Sequence, residues 1–259
     1  MSDLSGPTER RRFPLGFDPD TPRRPPLRSW SLTVIGQAPV TPRMLRVSFT
    51  GAELESLTWR PGQDLVLALP QPDGSLARRH YTIRDFNRAQ QRLDVDFVLH
   101  GDSPAVRWAR SAKPGEVIEA QGPRGRTAVA TDVERHLFCG DETCIPAIFA
   151  MAGSLPARAK ATALIEVDGP AEVQTLSAQA EVQLEWLYRN GAPPGPSTIL
   201  LDRLTALRPS PEGAHAYVIG ETSNVRAQRH YLLEQGFDRS RITAEGYWRP
   251  GRVGGHDHV

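Results

Sequence analysis

The chain has 259 residues, of which 39% are hydrophobic, and a formal net charge of +1. This is enough apolar material for one large core or two modest ones. The near-neutral charge gives no argument for a nucleic-acid partner, and no apolar run approaches a membrane span, so stable membrane insertion is not expected. There is no apolar secretion signal, so the cytoplasm is the expected location. Cys139 and Cys144 are too few for an iron–sulfur cluster, and electron transfer would need an organic cofactor.

The first half of the chain predicts an arm followed by an antiparallel β-barrel. Residues 1–27 combine proline and arginine with little to bury, which is typical of a flexible tail. Over residues 28–130, turn signals separate seven short β-rich segments: SWSLTVIGQ, MLRVSFTG, QDLVLALP, HYTIRDF, RLDVDFVLH, EVIEAQG and TAVA. One helix is expected, AVRWARSA after Pro104. Many short strands with a single helix predict a small barrel.

The second half, residues 131–259, predicts a doubly wound α/β domain with a short C-terminal tail. The expected strands are RHLFCG, ATALIEV, AHAYVIG and ITAEGYW, with AEVQTL and EVQLEWLYR as two further candidates. Helices are expected from about Thr143 to Met151, in STILLDRLTAL and in SNVRAQRHYLLEQG. Strands that alternate with helices indicate a mostly parallel sheet. The fold class is therefore a β-barrel followed by an α/β domain.

The run RRHYTIRDF is a poor core strand because neither of its alternating faces is plainly apolar. A dinucleotide flavin needs a cation for its pyrophosphate, a flat side chain against its ring and a hydrogen-bonding group near the reactive nitrogen. Arg79, Tyr81 and Thr82 could supply these three groups along one strand. From composition alone, an exposed strand with ordinary surface residues is the better explanation. Downstream, Ser103–Val106 begins a helix and offers an anion site, and GPRGR adds a glycine-bounded turn with an arginine.

Two similar turns, FCGDET and VIGETS, each follow an apolar strand and open a helix. Such turns lie at the carboxyl edge of an open α/β sheet, where ligands bind. Asp141, Glu142 and Glu221 are able to accept hydrogen bonds from ribose hydroxyls, or they only complement the helix dipole. Thr143 is a candidate N-cap.

Taken together, five motifs resemble the siderophore-interacting proteins, which are flavin-dependent ferric-siderophore reductases with a ferredoxin-reductase type of fold. The motifs occur in the family's order across about residues 29–252: RHYTIR, HGDSPAVRWA, GPRG, GDETCIPAI, and GETSNVRAQRHYL with GYWRPGR. The resemblance implies that the barrel binds FAD and that the α/β domain receives NADH or NADPH. The chain departs from the family where Tyr217 replaces a common tryptophan, where HGDSPA is short, and where lysines are nearly absent.

The resemblance also implies roles for single residues. Arg79 contacts FAD phosphate, Tyr81 packs on the flavin or its ribityl chain, Thr82 binds the isoalloxazine, and Arg84 approaches the pyrophosphate or the adenine. The remaining cofactor contacts that it implies are His80, His100, Ser103, Ala105, Trp108, Asp141, Thr143 and Trp248. For Trp248, covering the flavin ring and anchoring the last strand are equally open. The arginines expected to bind the anionic siderophore are Arg249 first, then Arg124 and Arg252.

The expected activity is reduction of a ferric siderophore with electrons from NADH or NADPH through FAD, which releases iron(II). No side chain need act as acid, base or nucleophile, because the cofactor carries the chemistry. Two alternatives remain: a general NAD(P)H:flavin or ferric reductase without siderophore preference, and a non-catalytic protein that binds flavin or iron chelates. A monomer is expected. The choice between NADH and NADPH stays open, with Arg226 and Arg229 as possible partners of a 2′-phosphate.

Overall fold

The computed structural model describes residues 27–251 and 257–258. Its first half is a sheet of seven antiparallel strands with one helix, and its strands alternate buried apolar side chains with exposed polar ones. The elements are β1 (Ser29–Thr41), β2 (Met44–Thr50), β3 (Asp64–Pro70), β4 (Leu76–Thr82), β5 (Asp85–Asn87), β6 (Arg92–Val98), α1 (Pro104–Ser111) and β7 (Val117–Arg124).

This sheet closes on itself as a barrel. Its strand order is β4-β3-β7-β1-β2-β6-β5, so β4 and β5 lie at opposite ends of the sheet. Only Ile83 and Arg84 separate these two strands along the chain, and the Arg84 amide donates to the Asp94 carbonyl of β6 at 2.9 Å. One bent segment therefore joins the two edges. Helix α1 packs with Ala105, Trp108 and Ala109 into the core that the strands enclose.

The second half is a six-stranded sheet flanked by helices. The elements are β8 (Arg135–Asp141), α2 (Ile145–Gly153), β9 (Lys160–Val167), β10 (Glu181–Tyr188), α3 (Ile199–Leu207), β11 (Ala214–Glu221), α4 (Thr222–Glu234), β12 (Ile242–Trp248) and β13 (Asp257–His258). The strand order is β10-β9-β8-β11-β12-β13. The first five strands are parallel, and β13 pairs antiparallel with β12. The order reverses between β8 and β11, which is the topological switch point where such sheets bind ligands.

The helices cover opposite faces of the parallel sheet. Helix α2 lies on one face, in a core that also contains Phe138, Tyr217 and Met44 of the barrel strand β2. Helices α3 and α4 cover the other face, where Leu204 and Leu232 pack. The barrel therefore docks on the α2 side of the sheet.

Polar contacts join the two halves along the interface between the barrel and the parallel sheet, which we call the seam. Thr41 donates to a carboxylate oxygen of Glu172, and Arg43 forms an ion pair with Asp168 at 3.1 Å. Further along, Thr127 donates to Glu245, and the amide of Ala130 donates to the Tyr217 hydroxyl at 2.7 Å. The carboxyl ends of β9 and β12 thus face the barrel.

The structure changes some details of the sequence prediction. TAVA and AEVQTL are not strands: the first lies in the seam, and the second begins inside a short 3-10 turn, Pro170–Glu172. HYTIRDF forms the end of β4 and the start of β5 rather than a single strand. The predicted boundary at residue 130 falls between β7 and β8, and we retain it as a proposal. The predicted arm lies outside the described residues except for Leu27, and no described helix is long and apolar enough to cross a membrane.

Candidate functional site

Strand β4 carries the polar run that the sequence singled out. Arg79 and Tyr81 pair across β3 with Leu67 and Leu65, so they share the sheet face on which α1 packs. The Tyr81 ring lies 4.2 Å from the ring of Phe97 in the barrel core, and burial raises the pKa of its hydroxyl. Arg79 is half-buried and donates to the Arg78 carbonyl, and it forms no ion pair with any described residue.

The opposite face of β4 points toward the seam. Thr82 is 8% exposed and His80 is half-buried. Nδ1 of His80 lies 2.6 Å from a carboxylate oxygen of Asp64, which is itself buried. His80 is therefore held by the barrel wall, whereas Thr82 meets the α/β half.

Helix α1 begins close to β4 with one free backbone donor. Ser103 is its N-cap and accepts from the Val106 amide at 3.3 Å, and Pro104 at the first helical position has no N–H group. The remaining first-turn amide is that of Ala105, whose methyl group is buried in the barrel core. The first turn contains no acidic residue, and so no side chain there would repel an anion. This end of the helix is thus suited to a phosphate group.

These features fit FAD. Arg79, which has no carboxylate partner among the described residues, offers positive charge to a diphosphate, and the Ala105 amide at the start of α1 offers an N–H donor. Tyr81 offers a flat ring that is only partly buried. In the chain as described, the residues that would hold FAD are Arg79, Tyr81, Thr82, Ser103 and the Ala105 amide.

Arg84 does not lie beside Arg79. Its guanidinium approaches Asp96 of β6 at 3.8 Å and stands 5.4 Å from the Phe149 ring of α2. Burial lowers the pKa of Arg84, and its buried Nε has no hydrogen-bond partner in the described chain. The structure places Arg84 at the seam, where its contact with a cofactor remains a prediction.

Trp108 lies inside the barrel and not on its surface. The side chain is 4% exposed, stacks on Phe49 and lies close to Phe97. Its indole N–H donates to Glu116 at 2.7 Å, so its polar atom is already satisfied. We assign Trp108 to the packing of α1 and leave it out of the proposed cofactor site.

Asp141 joins three strand ends at the carboxyl edge of the parallel sheet. One carboxylate oxygen accepts from the amide and the hydroxyl of Thr143, and the other accepts from the Glu221 amide and from the indole of Trp248. Burial, followed by the nearby charge of Glu142, raises the pKa of Asp141 to about 6. Both oxygens are engaged, so this carboxylate positions the turn and Trp248, and the nucleotide contact expected from the sequence stays a prediction.

Trp248 ends β12 and reaches across the seam. Its indole N–H donates to Asp141 at 3.0 Å, and its ring lies 5.9 Å from the ring of His100, which follows barrel strand β6. Burial lowers the pKa of His100. The ring of Trp248 is therefore both anchored and presented at the junction of the two halves.

Tyr247 is the site residue that the sequence analysis missed. Its side chain lies beside Thr82, and burial raises the pKa of its hydroxyl. It therefore brings β12 next to strand β4 of the barrel. The GYWRPGR motif contained the signal, but the partner of Tyr247 could not be read from local sequence.

A buried ion network occupies the ends of β8, β9 and β10. Arg189 donates to both carboxylate oxygens of Glu142 at 2.7 and 2.6 Å and approaches Glu166 at 3.4 Å. Ser197 also donates to Glu166. Arg189 and Glu166 are each 2% exposed at the side chain, and no motif indicated this network.

The arginines expected to meet the substrate are separated in the structure. Arg249 is exposed and directly follows β12. Arg124 is exposed at the end of β7, opposite Asp64 of β3. Arg252 lies outside the described residues, so nothing is added to its prediction.

Comparison with known proteins identifies the family. The model for siderophore-interacting protein matches residues 133–251, and the model for the siderophore-interacting FAD-binding domain matches residues 68–127. The chain is 30% identical over 237 residues to the ferric vibriobactin reductase ViuB of Vibrio cholerae, covering 82% of this chain and 86% of ViuB. The chain belongs to the siderophore-interacting protein family. It is an FAD-binding oxidoreductase, and the cofactors predicted from the sequence are confirmed.

Solved structures of this family share the whole architecture. A siderophore utilization protein from T. fusca superimposes with a TM-score of 0.80 at 32% identity, over 89% of this chain and 96% of that one. The siderophore-interacting protein SipS from Aeromonas hydrophila gives 0.77 at 32% identity, over 88% and 94%. The two-domain fold predicted from the sequence is confirmed. The FAD-binding match spans β4 to β7 and includes Arg79, Tyr81 and the start of α1.

Proposed function

We propose that this protein reduces the Fe(III) of a ferric siderophore with electrons from a nicotinamide nucleotide, through FAD, and thereby releases Fe(II). The observation that carries the proposal is that the end of β12 meets the barrel, where Tyr247 lies beside Thr82 and the Trp248 ring lies 5.9 Å from His100. It brings the polar strand of the barrel to the carboxyl edge of the parallel sheet, where a nucleotide binds. A reductant on the sheet and a cofactor on the barrel then share one seam.

The side chains at this seam bind and orient. Arg79 offers positive charge and the Ala105 amide an N–H group to a diphosphate, Tyr81 offers a flat surface, and Thr82 lies beside Tyr247. Asp141 accepts a hydrogen bond from the Trp248 indole, so the Trp248 ring is held at the seam. When bound, FAD supplies the conversion of a two-electron hydride donor into single-electron transfers.

The substrate class follows from the chemistry of iron and from the relatives. Hard anionic oxygens hold Fe(III) tightly and Fe(II) far more weakly, so one-electron reduction releases the metal. Relatives named ferric vibriobactin reductase and ferric acinetobactin reductase support a siderophore as the ligand. The exposed cations Arg249 and Arg124 are the candidates to attract an anionic iron complex.

An anaerobic spectral titration tests the proposal. The FAD-loaded protein is bleached with NADH or NADPH and then mixed with a ferric siderophore, with a ferrous chelator present. We expect the oxidised flavin spectrum to return, with two ferric complexes reduced per nicotinamide, since each nicotinamide supplies two electrons. A bleached flavin that is not reoxidised by any of a panel of ferric siderophores would contradict the proposal.

A general ferric reductase is the second candidate. A curated relative named NADPH-dependent ferric-chelate reductase, from Escherichia coli, is 26% identical over 257 residues and covers 88% of this chain and 98% of the relative. Equal reoxidation rates with simple ferric chelates and with ferric siderophores would favour this candidate. We expect ferric siderophores to react faster at equal iron concentration.

A further inference from the structure

The segment that supplies the ends of β9 and β10 is almost free of positive charge. From Ala161 to Asp202 the chain has six acidic residues and one basic residue, Arg189. Elsewhere arginine is frequent, since lysine and arginine together number 31. This depletion is therefore local and does not follow from the overall composition.

The position of the flavin-binding residues decides which half of a nucleotide meets this segment. Tyr247 and Trp248 place the flavin region at the end of β12, and the nicotinamide must reach it to pass a hydride. A dinucleotide that crosses the switch point between β8 and β11 then lays its adenosine half toward β9. Strand β9 lies three strands from β12, about 14 Å at the usual strand spacing.

Carboxylates surround that adenosine region, and its cations are already paired. The terminal nitrogens of Arg189 bind Glu142, and one also approaches Glu166. Arg43, from the barrel turn between β1 and β2, forms its ion pair with Asp168. Glu142 and Glu166 belong to the buried ion network, so a 2′-phosphate placed here would meet chiefly Asp168, and no uncommitted cation from the described part of this edge.

Asp168 has the position of a ribose-binding acid. It is the first residue after β9, the second strand of the sheet along the chain, and its side chain is 22% exposed. Rossmann-type sheets place an acid there that accepts from the ribose 2′-hydroxyl, whereas an arginine there accommodates the 2′-phosphate of NADPH. Arg43 holds this carboxylate toward the seam.

We propose that the protein is selective for NADH over NADPH, and that Asp168 is the main discriminating residue. The inference rests on the proposed function, since it assumes a nicotinamide nucleotide at this edge. The Asp168 carboxylate accepts hydrogen bonds from the ribose hydroxyls of NADH, and its negative charge repels the 2′-phosphate of NADPH. Arg226 and Arg229 do not reverse this preference, because they lie in α4, which follows β11 on the other side of the switch point.

Equilibrium binding provides a test that does not depend on turnover. The full-length, FAD-loaded protein is titrated by calorimetry with 5′-AMP and with adenosine 2′,5′-bisphosphate. We expect the bisphosphate to bind at least tenfold more weakly, and kcat/KM for flavin reduction to favour NADH by at least tenfold. Equal or tighter binding of the bisphosphate would overturn the inference.

Three variants test which residue discriminates between NADH and NADPH. Asp168→Asn frees Arg43, so the preference for NADH should fall at least tenfold. Arg43→Gln leaves Asp168 uncompensated, so the preference should be kept or increased. Glu181→Gln removes the same charge from the far end of β10, where Glu181 pairs with Lys160, and should change nothing.

The different responses expected of Asp168→Asn and Arg43→Gln distinguish a role in nucleotide selection from a purely structural role of the ion pair. If the Arg43–Asp168 pair only held the two halves together, Asp168→Asn and Arg43→Gln would have the same effect, and Asp168 would lose its assigned role. Melting temperature and flavin absorbance confirm that each variant is folded. A flavin that neither nucleotide bleaches would overturn the proposed function instead, whereas equal bleaching by both would overturn only the selectivity.

Discussion

At the scale of single residues, the site depends on a few side chains with defined partners. Tyr81 is supported by Phe97, Thr82 by Tyr247, and Trp248 by Asp141. Each partner comes from a different strand, so the orientation of the site side chains is fixed by packing. Removing a side chain should therefore change cofactor or substrate binding more than it changes the fold.

Tyr81→Ala is expected to weaken FAD binding about tenfold. An aromatic contact contributes about 0.5–1.5 kcal/mol, and ~1.4 kcal/mol corresponds to a factor of ten. Tyr81→Phe keeps the ring and should retain the affinity within about twofold. Fluorescence titration with FAD measures both variants, and an unchanged affinity in the alanine variant would remove Tyr81 from the site.

Arg249→Ala is expected to raise the KM for a ferric siderophore several-fold while the KM for the nicotinamide changes little. Arg249 is exposed and directly follows the carboxyl end of β12. Arg239→Ala is the matched control, because Arg239 is an exposed arginine that precedes the other end of the same strand. Steady-state kinetics with each substrate varied separately measure the two KM values. Parallel changes in both would indicate that Arg249 has a structural role.

At the scale of secondary-structure elements, α1 contributes both packing and charge. Its buried face fills the barrel, while its first turn offers a backbone donor next to β4. The same helix therefore stabilises the barrel and favours an anion at its N-terminus. The capping residue Ser103 allows these two effects to be separated.

Two substitutions at Ser103 should differ in FAD affinity at similar stability. Asparagine and aspartate are both good N-caps, so Ser103→Asn and Ser103→Asp should keep the melting temperature close to that of the wild type. The aspartate adds a negative charge where a diphosphate is expected, and we predict at least tenfold weaker FAD binding for it alone. Equal affinities for the two variants would show that the diphosphate binds elsewhere.

At the scale of the whole molecule, a stack of aromatic residues links the parallel sheet to the seam. His215 lies 4.7 Å from the Tyr217 ring, and Tyr217 accepts the Ala130 amide from the segment that joins the two halves. Burial, followed by the charge of Arg241, lowers the pKa of His215 from 6.5 to about 4. His136 and Asp132 are the other charged or titratable groups that act on it.

The free energy of unfolding should therefore fall as the pH drops from 6.5 to about 4. In this range the unfolded chain binds a proton at residue 215 that the folded chain does not, so acidification favours unfolding. In His215→Gln the fall should be smaller by about 1–3 kcal/mol. Urea unfolding at several pH values measures the free energy of unfolding, and His230→Gln, at an exposed histidine, is the control. Identical pH profiles for His215→Gln and the wild type would show that His215 is not the group responsible.

The sequence by itself determined the order of elements, the two-domain fold and the cofactor class. Strand periodicity, turn residues and five ordered motifs are local properties, and each can be read without knowing what packs against it. The choice of Arg79, Tyr81 and Thr82 followed from spacing along one strand in the same way. These predictions needed only the neighbours along the chain.

The tertiary structure decided which motif residues are engaged elsewhere. It placed Trp108 in the barrel core, saturated both oxygens of Asp141, and joined Tyr247 to Thr82 across the seam. It also paired Arg189 with Glu142, two residues far apart in sequence. Hydrogen bonds and ion pairs between distant segments arise only when the two halves pack together, so local spacing cannot specify them.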